Sequence, residues 1–345
     1  MLNPALEVED QTNAVSLITA LADYSATFTI KSAAAIGTAR HCLIAALADA
    51  LVALRDPQRA LLIGPVVPGA LMPGGARVPG TSLELDPAQA AFCMGVLFCQ
   101  PAAADRGPAL RSGRAADSFG AVLAAADYRA RKAVMEGKSP PRVRDVLTAM
   151  VKTLEIQGVL ATEGADDHSG IGTAAINPAR VAATAMTTAL LGGNVGQIVS
   201  ALSFACAEGE LLLPADECQH PARSRWARAD AISRAVRYAC QATAGGRPGY
   251  LTGLDLAAVD LAGKLLGARP SKPVKVFGTV IIDRLAGERQ PQETEQLTGR
   301  FRVAVDQYFP PRQAERIKAL FAAPERLDDL PVNELLAALV TNGAR

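Results

Sequence analysis

The sequence predicts a mainly α-helical chain, and three observations carry that reading. Half of the residues are apolar although aromatics supply only 4%. That apolar content is therefore Ala, Leu and Val, the composition of close-packed helices rather than of a β-sandwich. Apolar residues recur at three- and four-residue spacing through most of the chain, and Pro and Gly gather at the boundaries of these periodic stretches. At 345 residues the chain is long enough for one large helical domain or two smaller ones.

The elements follow in order. Residues 29–54 read as a long helix, with Leu43, Ala46, Leu47, Ala50, Leu51 and Leu54 at helical spacing. Residues 61–86, "LLIGPVVPGALMPGGARVPGTSLELD", break every helical rule and predict a long ordered loop. Asp86-Pro87 restarts a helix, with Asp as N-cap and Pro in the first turn. That helix leads into "QPAAADRGPALRSGRAADS" (100–118), a loop without aromatics or histidine, in a position where function usually sits.

"FGAVLAAADYRARKAVMEG" is helical up to a Gly stop, and Ser139 with two prolines is expected to cap the next helix. Along it Val143, Val146, Leu147, Met150, Val151 and Leu154 trace one apolar stripe. Asn177-Pro178 opens another helix, closed by Gly192-Gly193, and Asn194 starts a further one through Ala207. "GGNVGQ" is the helix-to-helix turn between them. Residues 224–243 are helical with a basic face, and "VKVFGTVIID" (274–283) is the one strand-like run, without an evident partner. The chain returns to helices in "ETEQLTGRFRVAVDQYF", "PRQAERIKALFA" and "LPVNELLAALV". A helical body over 12–290, with the helices of 291–345 packing back on it, is the expected organisation.

Net charge is +1 with acids and bases interspersed, so no electrostatic footprint for nucleic acid appears. The six cysteines are scattered, with no CxxC, which fits free thiols in a reduced, cytoplasmic setting better than a disulfide framework. The N-terminus has no basic segment followed by an apolar one, and no long charge-free apolar run occurs, so neither a signal peptide nor a membrane span is expected.

Motifs for dinucleotide, P-loop and zinc-protease chemistry are missing. Of the three histidines, His41 sits in an apolar helix as a core or interface residue, whereas His168 and His220 fall in loops from which they can reach a pocket. In "PARSRWARADAISRAVR" Arg223, Arg225 and Arg228 surround the single Trp226. Arginine forks bind carboxylates bidentately; the bland alternative is a solvated face that Trp226 anchors on the core. Glu155 is expected to organise helix packing, and Cys93 and Cys99 to be core residues.

"LADY", "GARVPGTSLELDPAQAAF", "LTAMVKTLEIQG", "RWARADAISRAVR" and "LPVNELLAALV" occur in the order and context of the MmgE/PrpD family, and the chain resembles that family from about residue 12 to its C-terminus. The resemblance implies a large MmgE/PrpD-type helical domain, here with a reduced or absent α/β lid. It also implies a homodimer, with pairing to a paralogue as the alternative. It further implies elimination, decarboxylation or epimerisation of a small polycarboxylate, with no metal and no organic cofactor. Such chemistry needs a base, an acid and cations for the carboxylates.

In the family the 100–118 stretch carries Leu-Asp-x-Asn-Asp-Thr and then His-Pro. On this chain the first Asp falls on Ala102, the second is kept as Asp105, the Thr is Arg106, and His-Pro is Arg114-Ala115. The lysine before the family's tryptophan is Ser224, and "RLAGERQP" passes to the C-terminal helices where a lid on the order of ~100 residues is expected. The candidate set is therefore Asp105, His168 and His220 for proton transfer, with Arg77, Arg106, Arg114, Arg223 and Arg225 for the anion.

Overall fold

The computed structural model describes residues 18–98, 118–164, 177–207, 221–246, 278–279, 282–283, 287 and 291–341; at 161–164, 206–207, 221–224 and 291 it describes the backbone. Residues 18–27 form α1. There follow α2 (Ala33–Ala53), α3 (Pro57–Ala60), the strands β1 (Ala76–Arg77) and β2 (Glu84–Leu85), α4 (Pro87–Phe98), α5 (Phe119–Met135) and α6 (Val143–Gly164). Then come α7 (Pro178–Leu190), α8 (Val195–Ala207), α9 (Pro221–Thr243), α10 (Pro291–Tyr308), α11 (Pro311–Ala322), α12 (Pro324–Asp329) and α13 (Val332–Ala338). The chain is mainly helical, as its composition predicts.

Local signals fix most helix starts. Asp86 Oδ1 accepts from the amides of Ala88 and Gln89, and Asn177 Oδ1 from those of Ala179 and Arg180. At the 192–197 turn, Asn194 and Gln197 exchange side-chain-to-backbone hydrogen bonds, both 3.0 Å, a reciprocal cap. The start of α6 departs from expectation. Ser139 is not its cap; the Arg142 amide donates to Asp145 Oδ2 at 2.8 Å. The chain before α6 is extended and bridges to Pro331, a long-range pairing that displaces the local signal.

The 61–86 segment is ordered and folds back on itself, with Ala76 opposite Leu85 and Arg77 opposite Glu84. A Cβ at Gly75 would stand 2.2 Å from the Leu85 carbonyl oxygen, so only glycine lets the two stretches approach. Within 274–283, strand is not what forms at the described positions. Ile282 and Asp283 are helical, and the Asp283 amide donates to the Thr279 carbonyl at 2.8 Å. The Asp283 carboxylate takes hydrogen bonds from Ser32 and Thr279, both 2.6 Å, and these hold the turn against the β-propensity of the run.

The main apolar core among the described residues runs from Ile18 to Leu339 and includes Leu43, Leu47, Leu147, Phe301, Ile317 and Leu336, and a small second cluster joins Ala201 and Ala205 to Tyr238 and Ala242. Helix α10 packs on α2, and Arg300 pairs with Asp49 across that contact at 2.8 Å. The 78–83 turn receives the far end of the chain, where Tyr308 Oη and Thr341 Oγ1 donate to the Gly80 carbonyl. By length and apolarity α2 qualifies as a membrane span, which the sequence reading did not anticipate. About two-thirds of it is buried, and its polar residues are engaged inside: Arg40 chelates Asp328, and Asp49 meets Arg300.

Candidate functional site

Helix polarity can be read from contacts near the helix ends. A Cβ on Gly95, near the end of α4, would meet Ala229 and Ile232 of α9; one on Gly120, at the start of α5, would meet Met94 and Gly95. Gln157, late in α6, donates to Ser118 at the head of α5, and Phe92 meets Trp226 edge-on at 6.1 Å. At the other end Gln197, early in α8, donates to carbonyls of Ala242 and Thr243 at the close of α9. Arg129, late in α5, donates to the carbonyl of Leu190 at the end of α7.

The C-terminal ends of α4, α6 and α8 and the N-terminal ends of α5, α7 and α9 therefore lie at one end of the bundle. Between these six ends run residues 99–117, 165–176 and 208–220. Asp105, Arg106, Arg114, His168 and His220 fall in these segments, outside the described residues, as does Cys99. The described helices bring together the points from which all five are suspended.

Arg225 stands at this same end, half-buried in the second turn of α9, with no ion-pair or hydrogen-bond partner among the described residues. Arg223 lies in the first turn of α9, its side chain outside the description. Trp226 is half exposed, a lid on Phe92 rather than an anchor sunk in the core. Sequence reasoning missed Arg180. Its side chain is fully buried in the first turn of α7, a cation held at the end where the connections meet. The sequence signal was available as an arginine two residues after the helix-opening Pro178.

The structure places Arg77 elsewhere. Its amide donates to Asp127 Oδ2 at 2.8 Å, its guanidinium to the Asn333 carbonyl at 2.7 Å, and it lies 3.7 Å from Glu84. Glu84 is also paired with Arg131 at 2.7 Å and accepts from the Gly74 amide, and the Arg131 hydrogen bond leads in holding its carboxyl below the usual range. This network sits at the N-terminal end of α4, which β2 enters. The 12 residues of α4 make it about 18 Å long, so Arg77 is separated from Arg225 by the length of a helix.

Asp127 belongs to the Arg77 network, and burial pushes its carboxyl up from 3.8 to about 6 against the pull of the Arg77 amide and of Arg77 and Arg131. Its Oδ1 is buried without a hydrogen-bond partner. The folded chain thus retains a proton that the unfolded chain has released. This contribution is full below pH about 4 and is lost as pH rises through about 6, a change on the order of 3 kcal/mol. Asp127→Asn is expected to remove that decline while leaving the opposite dependence of Glu84 in place. Urea unfolding at pH 4.5 and 7.5 checks it, and an unaltered pH difference in the variant would refute it.

Elsewhere in α6, Lys152 is buried and donates to the Ser25 carbonyl at 2.9 Å; desolvation lowers its ammonium to about 8. Glu155 is buried three residues on, inside the helix packing. His41 is half-buried, with Nδ1 2.7 Å from the Gly37 carbonyl oxygen. Cys93 is buried and its thiol pushed up to about 11 by burial. Cys93 and Cys240 are free thiols. Among the described residues no group of three or more His, Cys, Asp or Glu is placed to hold a metal ion.

The fold is a mainly helical scaffold in which six helix ends gather at one end of the bundle. Residues 19–248 match the MmgE/PrpD N-terminal domain, and the chain belongs to that family. It is 37% identical to 2-methylcitrate dehydratase of Cupriavidus necator over 268 residues, which are 77% of this chain and 54% of that protein. The corresponding enzyme of Escherichia coli K12 is 36% identical over the same coverage. Mitochondrial 2-methylcitrate dehydratase of Yarrowia lipolytica is 34% identical over 278 residues, 79% of this chain and 52% of that protein. The chain thus spans about half the length of the curated relatives it matches. Among its described residues, β-structure is confined to the β1–β2 pair and the isolated Arg142–Pro331 bridge.

Proposed function

We propose that the chain is a lyase scaffold for small polycarboxylates, related to 2-methylcitrate dehydratase, with altered chemistry in which one aspartate and a histidine move protons and several arginines hold the anion. The observation that carries this reading is the convergence of six helix ends, those that flank residues 99–117, 165–176 and 208–220, at the same end as Arg225, which has no ion-pair or hydrogen-bond partner among the described residues. In this reading Asp105 takes the proton from a carbon next to a carboxylate. His168 or His220 donates a proton to the departing hydroxyl, which leaves as water while the carbon–carbon double bond forms. Arg106, Arg114, Arg223 and Arg225 hold the carboxylates, a task suited to a permanently charged fork and impossible for it to exchange with that of a base. Arg77 is outside this set.

The test is a turnover assay on the purified protein with 2-methylcitrate and with citrate, following ultraviolet absorbance of the new double bond. Turnover is expected, and Asp105→Ala is expected to lower it by roughly 100-fold or more. A folded protein inert toward both substrates would overturn the reading.

A second reading, a catalytically inactive binding or dimerisation partner, is favoured by the residues at four positions of the family motif: Ala102, Arg106, Arg114 and Ser224. A dimer, with itself or with a paralogue, belongs to either reading. Exposed Leu61, Val66, Val67 and Leu71, with Val134 and Met135 at the end of α5, offer an apolar surface for it. An inert but dimeric protein is the outcome expected for this second reading.

A further inference from the structure

At the end of the molecule opposite the six gathered helix ends, α11, α13 and the β1–β2 turn border a half-open groove of about 780 Å³, within the size range of small-molecule sites. Arg312, Arg316 and Leu320 line it at four-residue spacing, one face of α11. Among the described residues neither guanidinium has an ion-pair or hydrogen-bond partner, although both are exposed to the groove. They occupy the first two turns of α11, where the helix dipole adds positive potential.

The remaining charges are arranged differently. Glu84 is matched by Arg131 and Arg77, as described above. Glu334 is the uncompensated acid, one turn from Ala338 along α13. Gln313 donates to the carbonyls of Ala338 and Val340, and this locks the head of α11 against the tail of α13. Glu334 therefore lies toward the Asn333–Arg77 side, away from that junction. Leu320, Leu330 and Val340 give the groove an apolar wall.

We infer that this groove is a second ligand site, one that takes a small organic anion with a doubly charged head group on a short apolar body. The head sits between Arg312 and Arg316 at the start of α11, and the body lies along Leu320 and Leu330. Glu334 repels a second anionic end, which favours ligands charged at one end only. A phosphate monoester and a geminal dicarboxylate share this chemistry.

Isothermal titration of the full chain with n-butyl phosphate, n-butylmalonate and n-butanol tests the site. At least one of the two anions is expected to bind, and which one binds identifies the head group. Arg312→Gln combined with Arg316→Gln is expected to weaken that binding at least tenfold, since each charge-assisted hydrogen bond lost costs about that factor. Arg225→Gln, at the other end of the molecule, is expected to leave it unchanged. The site is refuted if neither anion binds, if n-butanol binds as well as they do, or if the double variant binds like the wild type. It is equally refuted if Arg225→Gln alone removes the binding. None of these outcomes depends on turnover at the convergent end.

Discussion

Replacing Asp328 by alanine is expected to destabilise the chain by about 3–5 kcal/mol. Asp328 is the point at which three elements are tied. Arg40 of α2 donates to both its oxygens, each 2.8 Å from Nη2, and Arg144 of α6 reaches Oδ2 at 3.2 Å. Its side chain and that of Arg40 retain only 12% and 17% exposure, so water does little to replace the lost partner. The cost is less the bond itself than the Arg40 cation left behind in a largely buried position. Asp328→Asn, which keeps the shape and one acceptor, is expected to lose less. Thermal melts of the two variants decide it: a drop in Tm of roughly 10 °C for alanine is expected, and a shift within error would show that the pair contributes nothing.

Gly95→Val is expected to cost at least about 3 kcal/mol through overpacking. Even a single Cβ at this position would stand 2.8 Å from Ile232 Cδ1 and 2.9 Å from Ala229 Cα. The first contact is the tip of a side chain and can turn away. The second is backbone of the facing helix and cannot, so α4 and α9 must separate. Gly120 lies against Gly95 and blocks compensation on that side, since a Cβ there already meets Met94 and the Gly95 amide. A folded variant with wild-type urea midpoint would refute this account of the seam.

What the sequence made legible was local. The helical class follows from Ala, Leu and Val content, and the starts of α4 and α7 follow from Asp86-Pro87 and Asn177-Pro178, because each cap is satisfied within three residues. The missed features are long-range. The run over 274–283 has strand composition, yet Asp283 is held as a helical turn partly by Ser32, some 250 residues earlier. Ser139 lost its capping role to a bridge with Pro331, and the placement of Arg77 was set by Asn333 and Asp127, neither near it in sequence. The groove of Arg312 and Arg316 needed the same kind of knowledge, since its opposite wall is built by residues 77–84. For the candidate site the family motif named Asp105, Arg106 and Arg114, and position in the chain named His168, His220 and the arginines around Trp226, while helix polarity showed that the segments bearing most of them leave the scaffold together.

The helix ends at that meeting place are fastened to one another by Gly95 against Gly120, Ser118 with Gln157 and Phe92 against Trp226. Each of these fastenings lies in the helices rather than in the connections they carry. The sequence of those connections can therefore vary without loosening the frame. Such a frame can lose one reaction and acquire another while its shape is conserved, and its descendants will be easier to recognise by their helices than by what they catalyse.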